Sequence, residues 1–302
     1  MQKFWPVLFG VVLTASAGLF VVAGFFPSLG WWLPKNVCSF GPSVDGLFYL
    51  ILAVTGFFFF LTEGLLVYAM WKYIARPGQK STYTHGSHTL EVAWTIVPSL
   101  ILLFIAFAQV KTWADIKYQS RMPVPDQVFE VTARQFEWRF RYPDADQNAR
   151  MLAGWKEGQE SQAATDWQRE PHADDVHAVN EVHTWVSKDP KNPTRVRFFL
   201  KSRDVIHSFF LPNMRIKQDA LPGKVIPVWF DTAFAEANCK YNDDAKTWVL
   251  DPDKAKHAEL ACAELCGWGH YKMRGMVYVH ESKDDYEKWL AHAAAEERRT
   301  KP

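Results

Sequence analysis

Three long apolar runs fill the first third of the chain, and beyond them the pattern shortens to residue-by-residue alternation. Phe4 to Phe26 is apolar almost throughout and, as a helix, long enough to cross a hydrocarbon core of roughly 30 Å. Its Ala15-Ser16-Ala17 lies in mid-run, not where a signal peptidase site belongs, so a retained helix is the reading and a cleaved signal peptide the lesser alternative. The second run, Leu47 to Tyr68, holds Phe57 to Phe60 at its middle and Glu63 as its one acid. An acid at that depth carries a functional label by default, or else snorkels toward the helix end. The third runs from about Val92 to Val110, preceded by Glu91 and interrupted by Pro98, which membrane helices tolerate when neighbours satisfy the freed backbone groups. A loop from Pro27 to Asp45 carries Trp31 and Trp32, suited to a membrane interface. The loop from Trp71 to His88 carries Lys72, Arg76 and Lys80 and no acid, so it faces the cytoplasm, and the chain beyond Lys111 lies on the opposite side.

After Pro123 the period falls to two. Phe136, Trp138, Phe140 and Tyr142 alternate with Glu137, Arg139 and Arg141, the signature of a half-buried strand. Similar runs at Thr194 to Leu200, Val225 to Phe230 and Met276 to His280, separated by Pro, Gly and Asp clusters, predict an all-β Greek-key sandwich or barrel. Two charged, irregular stretches, near 146–173 and 233–257, fit no strand and read as surface insertions without regular structure. Tyr286, Trp289 and Leu290 form a packing stripe on a C-terminal helix over Asp284 to Arg299. The division that follows is an N-terminal helix over 1–26, a helical hairpin over 27–114, a β domain over 115–281 and a helical tail over 282–302.

Composition alters this picture little. A net charge of +1 gives no reason to expect nucleic acid as a partner. Four cysteines do not make a disulfide scaffold. Cys38 and Cys239 could pair on the oxidising side of a membrane, but no spacing rule says that they meet, and unpaired thiols are the expectation. The other two lie in Ala261-Cys262-Ala263-Glu264-Leu265-Cys266-Gly267-Trp268-Gly269-His270-Tyr271-Lys272-Met273. Thiolate, imidazole and thioether within one short loop point to copper first. Zinc would prefer a carboxylate, His or third Cys to Met, and a disulfide or two buried thiols would leave His270 and Met273 unexplained. No Cys-x-x-Cys-His occurs, so the chain attaches no c-type haem of its own.

A second segment belongs with that loop: Ser202-Arg203-Asp204-Val205-Ile206-His207-Ser208-Phe209-Phe210. Two helices, an acid before Trp94-Thr95, this segment, Lys217-Gln218-Asp219-Ala220-Leu221-Pro222-Gly223 and the final Cys-x-Glu-x-Cys-x-x-x-His-x-x-Met together resemble subunit II of haem-copper cytochrome c oxidases. The likeness runs from about Asp45 to Trp289 with two insertions, leaving the first helix outside it. It implies a cupredoxin barrel holding two copper ions, with Cys262 and Cys266 bridging both, His207 and His270 terminal, and Met273 and the carbonyl of Glu264 as weak axial ligands. The Glu264 carboxylate would bind a magnesium ion shared with subunit I, or else be a hydrogen-bonded interface acid. Glu91 matches the mouth of a proton channel into subunit I, against the plainer reading of an acid favoured by a helix N-terminus. His85, His88, His172, His177, His183, His257, His280 and His292 have no such context and read as surface or core residues.

The resemblance makes the chain an electron-transfer subunit of a respiratory terminal oxidase. It would sit in a bacterial cytoplasmic membrane with its copper domain on the periplasmic side, beside subunit I and the other oxidase subunits. Electrons would arrive from a c-type cytochrome or similar carrier and pass to haem in subunit I, where oxygen reduction is coupled to proton pumping. One departure bears on the donor: the family's electron-entry tryptophan is here Phe136, with Trp138 matching a second tryptophan two positions on. Arg139 and Arg141 also weaken any acidic docking patch, so the expected donor is not a freely diffusing basic cytochrome but another carrier, such as a membrane-tethered one. Three rivals are weighed. A quinol oxidase subunit would lack copper ligands, a copper-containing nitric oxide reductase subunit fits Glu91 and the hairpin less well, and a membrane-anchored copper carrier needs no bridging pair with two histidines.

Overall fold

The computed structural model describes residues 3–26, 29–80, 83, 85–189, 191–255 and 258–300, so His257, the last tail residues Lys301 and Pro302, and the Pro27 loop boundary fall outside the described residues. Contacts divide the chain into two units, Met1–Leu33 with Ser43–Lys111 and Pro34–Pro42 with Thr112–Pro302.

The first unit is built on three apolar helices, α1 (Phe4–Phe25), α2 (Gly41–Lys72) and α3 (His88–Lys117), each long enough to span a membrane. α2 and α3 outrun their apolar stretches: α2 starts at Gly41 with Pro42 in its first turn, where a missing N–H costs nothing, and α3 runs on through Lys111, Ala114 and Lys117. Large side chains such as Phe57, Leu102 and Phe107 stand exposed, as expected for helices whose solvent is lipid. The hydroxyls of Thr14, Thr55 and Thr62 each donate to the carbonyl four residues back at 2.8 Å, so these three groups are not left unpaired toward hydrocarbon. Trp32 donates to the Tyr49 hydroxyl at 3.0 Å and meets Phe20 edge-on. Lys72 closes α2 and Glu91 lies in the first turn of α3.

The second unit carries two five-stranded sheets. One has the order β3 (Val176–Val179), β2 (Glu137–Tyr142), β1 (Gln127–Arg134), β5 (Arg195–Ser202), β8 (Ile226–Asp231). The other has the order β4 (Glu181–Trp185), β12 (Arg274–His280), β11 (Glu259–Cys262), β6 (His207–Leu211), β7 (Ile216–Ala220). All neighbours are antiparallel except β1 with β5 and β4 with β12. The sheets share one core, in which Phe209 meets Trp138 at 5.1 Å and Phe198 at 4.9 Å between ring centroids. At such a position truncation to alanine costs about 3–5 kcal/mol.

Alternation in β2 breaks at one residue: Arg141, expected on the polar face, is buried together with Phe140 and Tyr142. The cause is the first insertion, which is not irregular but folds into α4 (Ala145–Ala153) and α5 (Gln162–Arg169). Asp144 and Ser161 cap these helices by accepting from Gln147 and Ala164 backbone N–H groups at 2.7 and 3.1 Å. Met151, Trp155 and Trp167 form a second small core with Val128 and Phe199, and this layer closes over Arg141. The second insertion holds a strand pair, β9 (Cys239–Asn242) with β10 (Thr247–Leu250), followed by the short helix α6 (Pro252–Ala255). Trp248 of β10 is buried, its indole N–H donating to Asp285 at 3.1 Å. Cys38 and Cys239 are free, buried thiols; burial pushes Cys239 up to about 12 and Cys38 higher still, the latter with help from the Asp231 charge.

The tail forms α7 (Lys283–Thr300), with Tyr286, Trp289 and Leu290 in the main core. Two of the histidines without metal context meet under it. His183 Nδ1 lies 3.0 Å from His280 Nε2, His280 Nδ1 lies 2.9 Å from Asp285, and Trp289 stacks on His183 at 3.6 Å. Burial holds both imidazoles below their usual range, with the His280 charge adding to the effect at His183 and Asp285 partly opposing it at His280. Depressed folded pKa values mean that the unfolded chain binds protons first as pH falls. The stability from this pair is therefore complete above about 6.5, the unfolded value, and is lost as pH drops below it. Thermal midpoints of the full chain are expected to fall from pH 7 to pH 5, with a shallower slope in His183→Gln. A flat profile in the parent chain would contradict the buried neutral pair.

Candidate metal centre

Strand direction brings the ligand residues together. β6 and β11 are antiparallel neighbours, so His207, the first residue of β6, stands at the same end as Cys262, the last of β11. β12 lies on the other side of β11 and begins directly after Met273, whose carbonyl accepts from the Cys262 N–H at 3.0 Å. The loop between Cys262 and Met273 then supplies Glu264, Cys266 and His270.

Six donor atoms converge at this strand end. The Cys262 and Cys266 sulfurs are 3.9 Å apart. His207 Nδ1 lies 3.9 Å from the Cys262 sulfur and His270 Nδ1 3.6 Å from the Cys266 sulfur. The Glu264 carbonyl oxygen is 3.3 Å from Cys262 Sγ, and Met273 Sδ is 3.9 Å from Cys266 Sγ. The ligand atoms of His207, Cys262 and Cys266 all fall within 4.8 Å of one another. His207 and Met273 are fully buried. Burial opposes ionisation of Cys262, yet hydrogen bonding with His207 and with the backbone at Glu264 and Ser208 pulls that thiol down to about 6. Burial and then the charge on Cys262 push Cys266 up to about 12. The two sulfurs thus differ in proton affinity, and a cation between them would favour deprotonating both. Soft sulfur with borderline imidazole is the donor chemistry of copper, and the carboxylates of the cluster lie outside the donor set.

Two further residues, Asp204 and Gln135, hold this arrangement, and the sequence reading gave neither of them a role. Asp204 Oδ1 accepts from His207 Nε2 at 2.8 Å and so turns Nδ1 toward the sulfurs. The same carboxylate accepts the Gln135 and Val205 N–H groups at 2.8 and 2.7 Å, fixing its own position. The available signal was an acid three residues before the histidine. Asp204→Asn is expected to lower copper affinity about 10- to 100-fold, measured by chelator competition, with little change in unfolding midpoint. Unchanged affinity would make Asp204 a loop residue only. Gln135, in the β1–β2 turn of the other sheet, donates from Nε2 to the Cys266 carbonyl at 2.5 Å. Next to it the Phe136 ring lies against the backbone of Gly267 and Gly269, where an added Cβ would come within 3.1 and 2.4 Å of ring carbons. Trp268, between those glycines, meets Phe136 edge-on at 5.2 Å.

The other residues singled out by the sequence lie as follows. Trp138, expected at electron entry, is fully buried, because β2 turns it inward onto Phe209 and within 6.2 Å of the His207 ring. Arg141 likewise belongs to no docking surface, its guanidinium being enclosed by Glu130, Asp175 and Trp167. Arg139 is exposed but paired with Glu137 at 2.6 Å. Glu264 presents an exposed side chain. In the helical unit the exposed Glu91 carboxylate lies 3.9 Å from His88 Nδ1.

Residues 37–111 match the family described as cytochrome c oxidase subunit II, transmembrane domain, and residues 177–238 match its periplasmic domain. The first match covers α2 and the apolar part of α3; the second covers His207 and ends before the cysteine loop. The probable cytochrome c oxidase subunit 2 of Rickettsia bellii is 28% identical over 250 residues, 82% of this chain and 76% of that protein. The chain resembles the cytochrome c oxidase subunit II family in its membrane helices and in its β unit. Members of this family are subunits of an oxidoreductase complex, and the chain accordingly pairs a membrane anchor with an extramembrane β unit carrying a copper-type site. The cytochrome c oxidase subunit 2 of Thermostichus vulcanus is 26% identical over 339 residues, covering 95% of this chain and 84% of that one. Among solved structures, the periplasmic domain of subunit II from Bradyrhizobium japonicum aligns with 58% of this chain and 98% of its own at 20% identity and a TM-score of 0.36.

Proposed function

We propose that this chain is the electron-transfer subunit of a bacterial respiratory terminal oxidase, with a dinuclear copper centre in a cupredoxin-type Greek-key domain. The observation that carries this is the pairing of the thiols: two sulfurs 3.9 Å apart, each with its own imidazole nitrogen, and one further weak donor at either end. A mononuclear copper or zinc site uses four donors; six in this arrangement suit two ions sharing both sulfurs.

When bound, a copper pair held by Cys262, Cys266, His207 and His270 would supply a one-electron relay that needs little rearrangement. The chain's own residues keep that environment fixed. β6, β11 and β12 hold His207, Cys262 and Met273 on hydrogen-bonded strand ends, Asp204 fixes the His207 ring, and Gln135 clamps the Cys266 carbonyl. Trp138 and Phe209 wall the site from below and exclude water. Electrons are received from a c-type cytochrome or similar carrier on the periplasmic side and passed to haem in subunit I, where oxygen is reduced and protons are pumped. Glu264, its carbonyl turned to the sulfurs, keeps its carboxylate exposed for a magnesium ion shared with subunit I. Glu91, in the first turn of α3 and beyond the basic loop that marks the cytoplasmic side, stands at the mouth of a proton path into subunit I.

Copper content of the purified full chain tests the reading. Two ions per chain are expected, with both lost in Cys262→Ser and in Cys266→Ser. One ion per chain, or zinc alone, would favour the mononuclear or carrier readings.

A further inference from the structure

The ligand loop turns its largest side chains outward. Leu265, Trp268 and Tyr271 are 78%, 80% and 67% exposed, on the same loop that supplies buried Cys266 and Met273. A tryptophan left mostly in water contributes little to stability through burial. A cluster of exposed apolar residues marks a surface that another molecule covers, and tryptophan is enriched where such contacts carry binding energy. Trp268 is held in this pose. Gly267 at φ +135° and Gly269 leave no room for Cβ atoms over the Phe136 ring, and that ring supports the indole edge-on at 5.2 Å.

We propose that Trp268 is the electron-entry residue of this subunit, and that the partner covering it is a c-type cytochrome whose exposed haem edge is ringed by neutral or acidic groups. The proposal rests on the copper-centre reading above. Trp268 has two advantages over the alternatives in its own surroundings: Phe136 is only partly exposed and lies beneath the loop, whereas Trp138 is buried. Its backbone leads to Cys266 in one direction and His270 in the other, so a short covalent path joins the exposed π system to the ligand set.

Charge selects the partner. The Lys272 ammonium lies 5.9 Å from the Trp268 ring centroid and 5.5 Å from that of Tyr271. Beside Phe136, Arg134 and Arg139 both engage Glu137, at 2.7 and 2.6 Å, and the Asp204 carboxylate next to Gln135 offsets the remaining charge, so Lys272 is the net positive group beside Trp268. A basic haem rim would meet like charge at this face, and an acidic one would meet its complement. In the step itself one electron leaves ferrous haem, which becomes ferric, and reduces the oxidised copper pair by one electron. No bond forms or breaks and no proton moves.

The test uses the intact oxidase and two probes, one c-type cytochrome with an acidic haem rim and one with a basic rim. Trp268→Ala is expected to slow second-order reduction by the acidic probe about tenfold or more, and to weaken that probe's binding to copper-free oxidase about tenfold in calorimetry. The copper spectrum and the rate of reduction by hexaammineruthenium(II) should stay within about twofold, since neither depends on docking. Trp268→Phe should recover part of the binding, and the parent should prefer the acidic probe. Unchanged binding and rate in Trp268→Ala, or a larger loss in Phe136→Ala, would overturn the proposal while leaving the copper reading intact. A parent protein without a two-copper spectrum would overturn both.

Discussion

Arg141→Met is expected to destabilise the β unit by about 3 kcal/mol, toward the lower end of the range for breaking a buried ion pair. The guanidinium donates to Glu130 Oε2 at 2.9 Å, to Asp175 Oδ2 at 2.8 Å and to the Trp167 carbonyl at 3.0 Å, and it lies 3.9 Å over the Trp167 ring. Methionine fills much of the space but leaves two carboxylates in a pocket almost closed to water. Complete loss is averted because Lys201 still reaches Glu130 at 2.8 Å, and the Trp167 indole N–H still donates to Asp175 at 2.7 Å. Arg141→Lys should fall between parent and Met, since it keeps the charge and loses the fork. Thermal unfolding of the full chain, followed by near-UV circular dichroism, measures the ranking. A change below about 1 kcal/mol would mean that the triad is hydrated and holds nothing together.

Gly269→Ala carries the second large effect, and it falls on the metal site. An alanine Cβ would lie 2.4 Å from Phe136 Cδ2 and 2.6 Å from Cγ, near the root of the ring, where no rotation of a flexible tip relieves the clash. Overpacking of this kind costs about 1–3 kcal/mol. The backbone that yields is the ligand loop, because Gln135 and Phe136 sit in a turn pinned by Asp204. Borne wholly by the metal-loaded form, such a cost lowers copper affinity by about 5- to 150-fold. Phe136→Ala in the same chain removes the obstructing ring and should restore most of the affinity, a coupling visible only in the double variant. Affinity equal to the parent in Gly269→Ala alone would show that the loop shifts without moving its ligands.

Long-range order in the pattern explains what could be read directly from the residues. The three membrane helices rest on apolar runs whose length alone matters, and Cys262, Cys266, His270 and Met273 are close in the chain as well as in space. The stripe of Tyr286, Trp289 and Leu290 likewise marked α7 as a packed helix. Arg141 was misplaced because alternation assumes one wet face, and the layer that dries the second face is contributed by residues up to Trp167 and Asp175. α4 and α5 are short and carry mostly alanine and polar residues, so a few larger apolar positions such as Met151 and Trp167 did not stand out, although their caps Asp144 and Ser161 were in view. Asp204, Gln135 and Trp268 depend on one turn of the first sheet reaching the strand ends of the second. No local pattern encodes that meeting. The buried pair of His183 and His280 is non-local in the same way, joining β4 to β12 across the chain.

The most direct test is the electron paramagnetic resonance spectrum of the copper-loaded full chain. One unpaired electron shared equally by two copper nuclei is expected, giving a mixed-valence signal that disappears in Cys262→Ser and on one-electron reduction. A spectrum of a single isolated copper ion, or no signal from a chain that retains only zinc, would contradict the account.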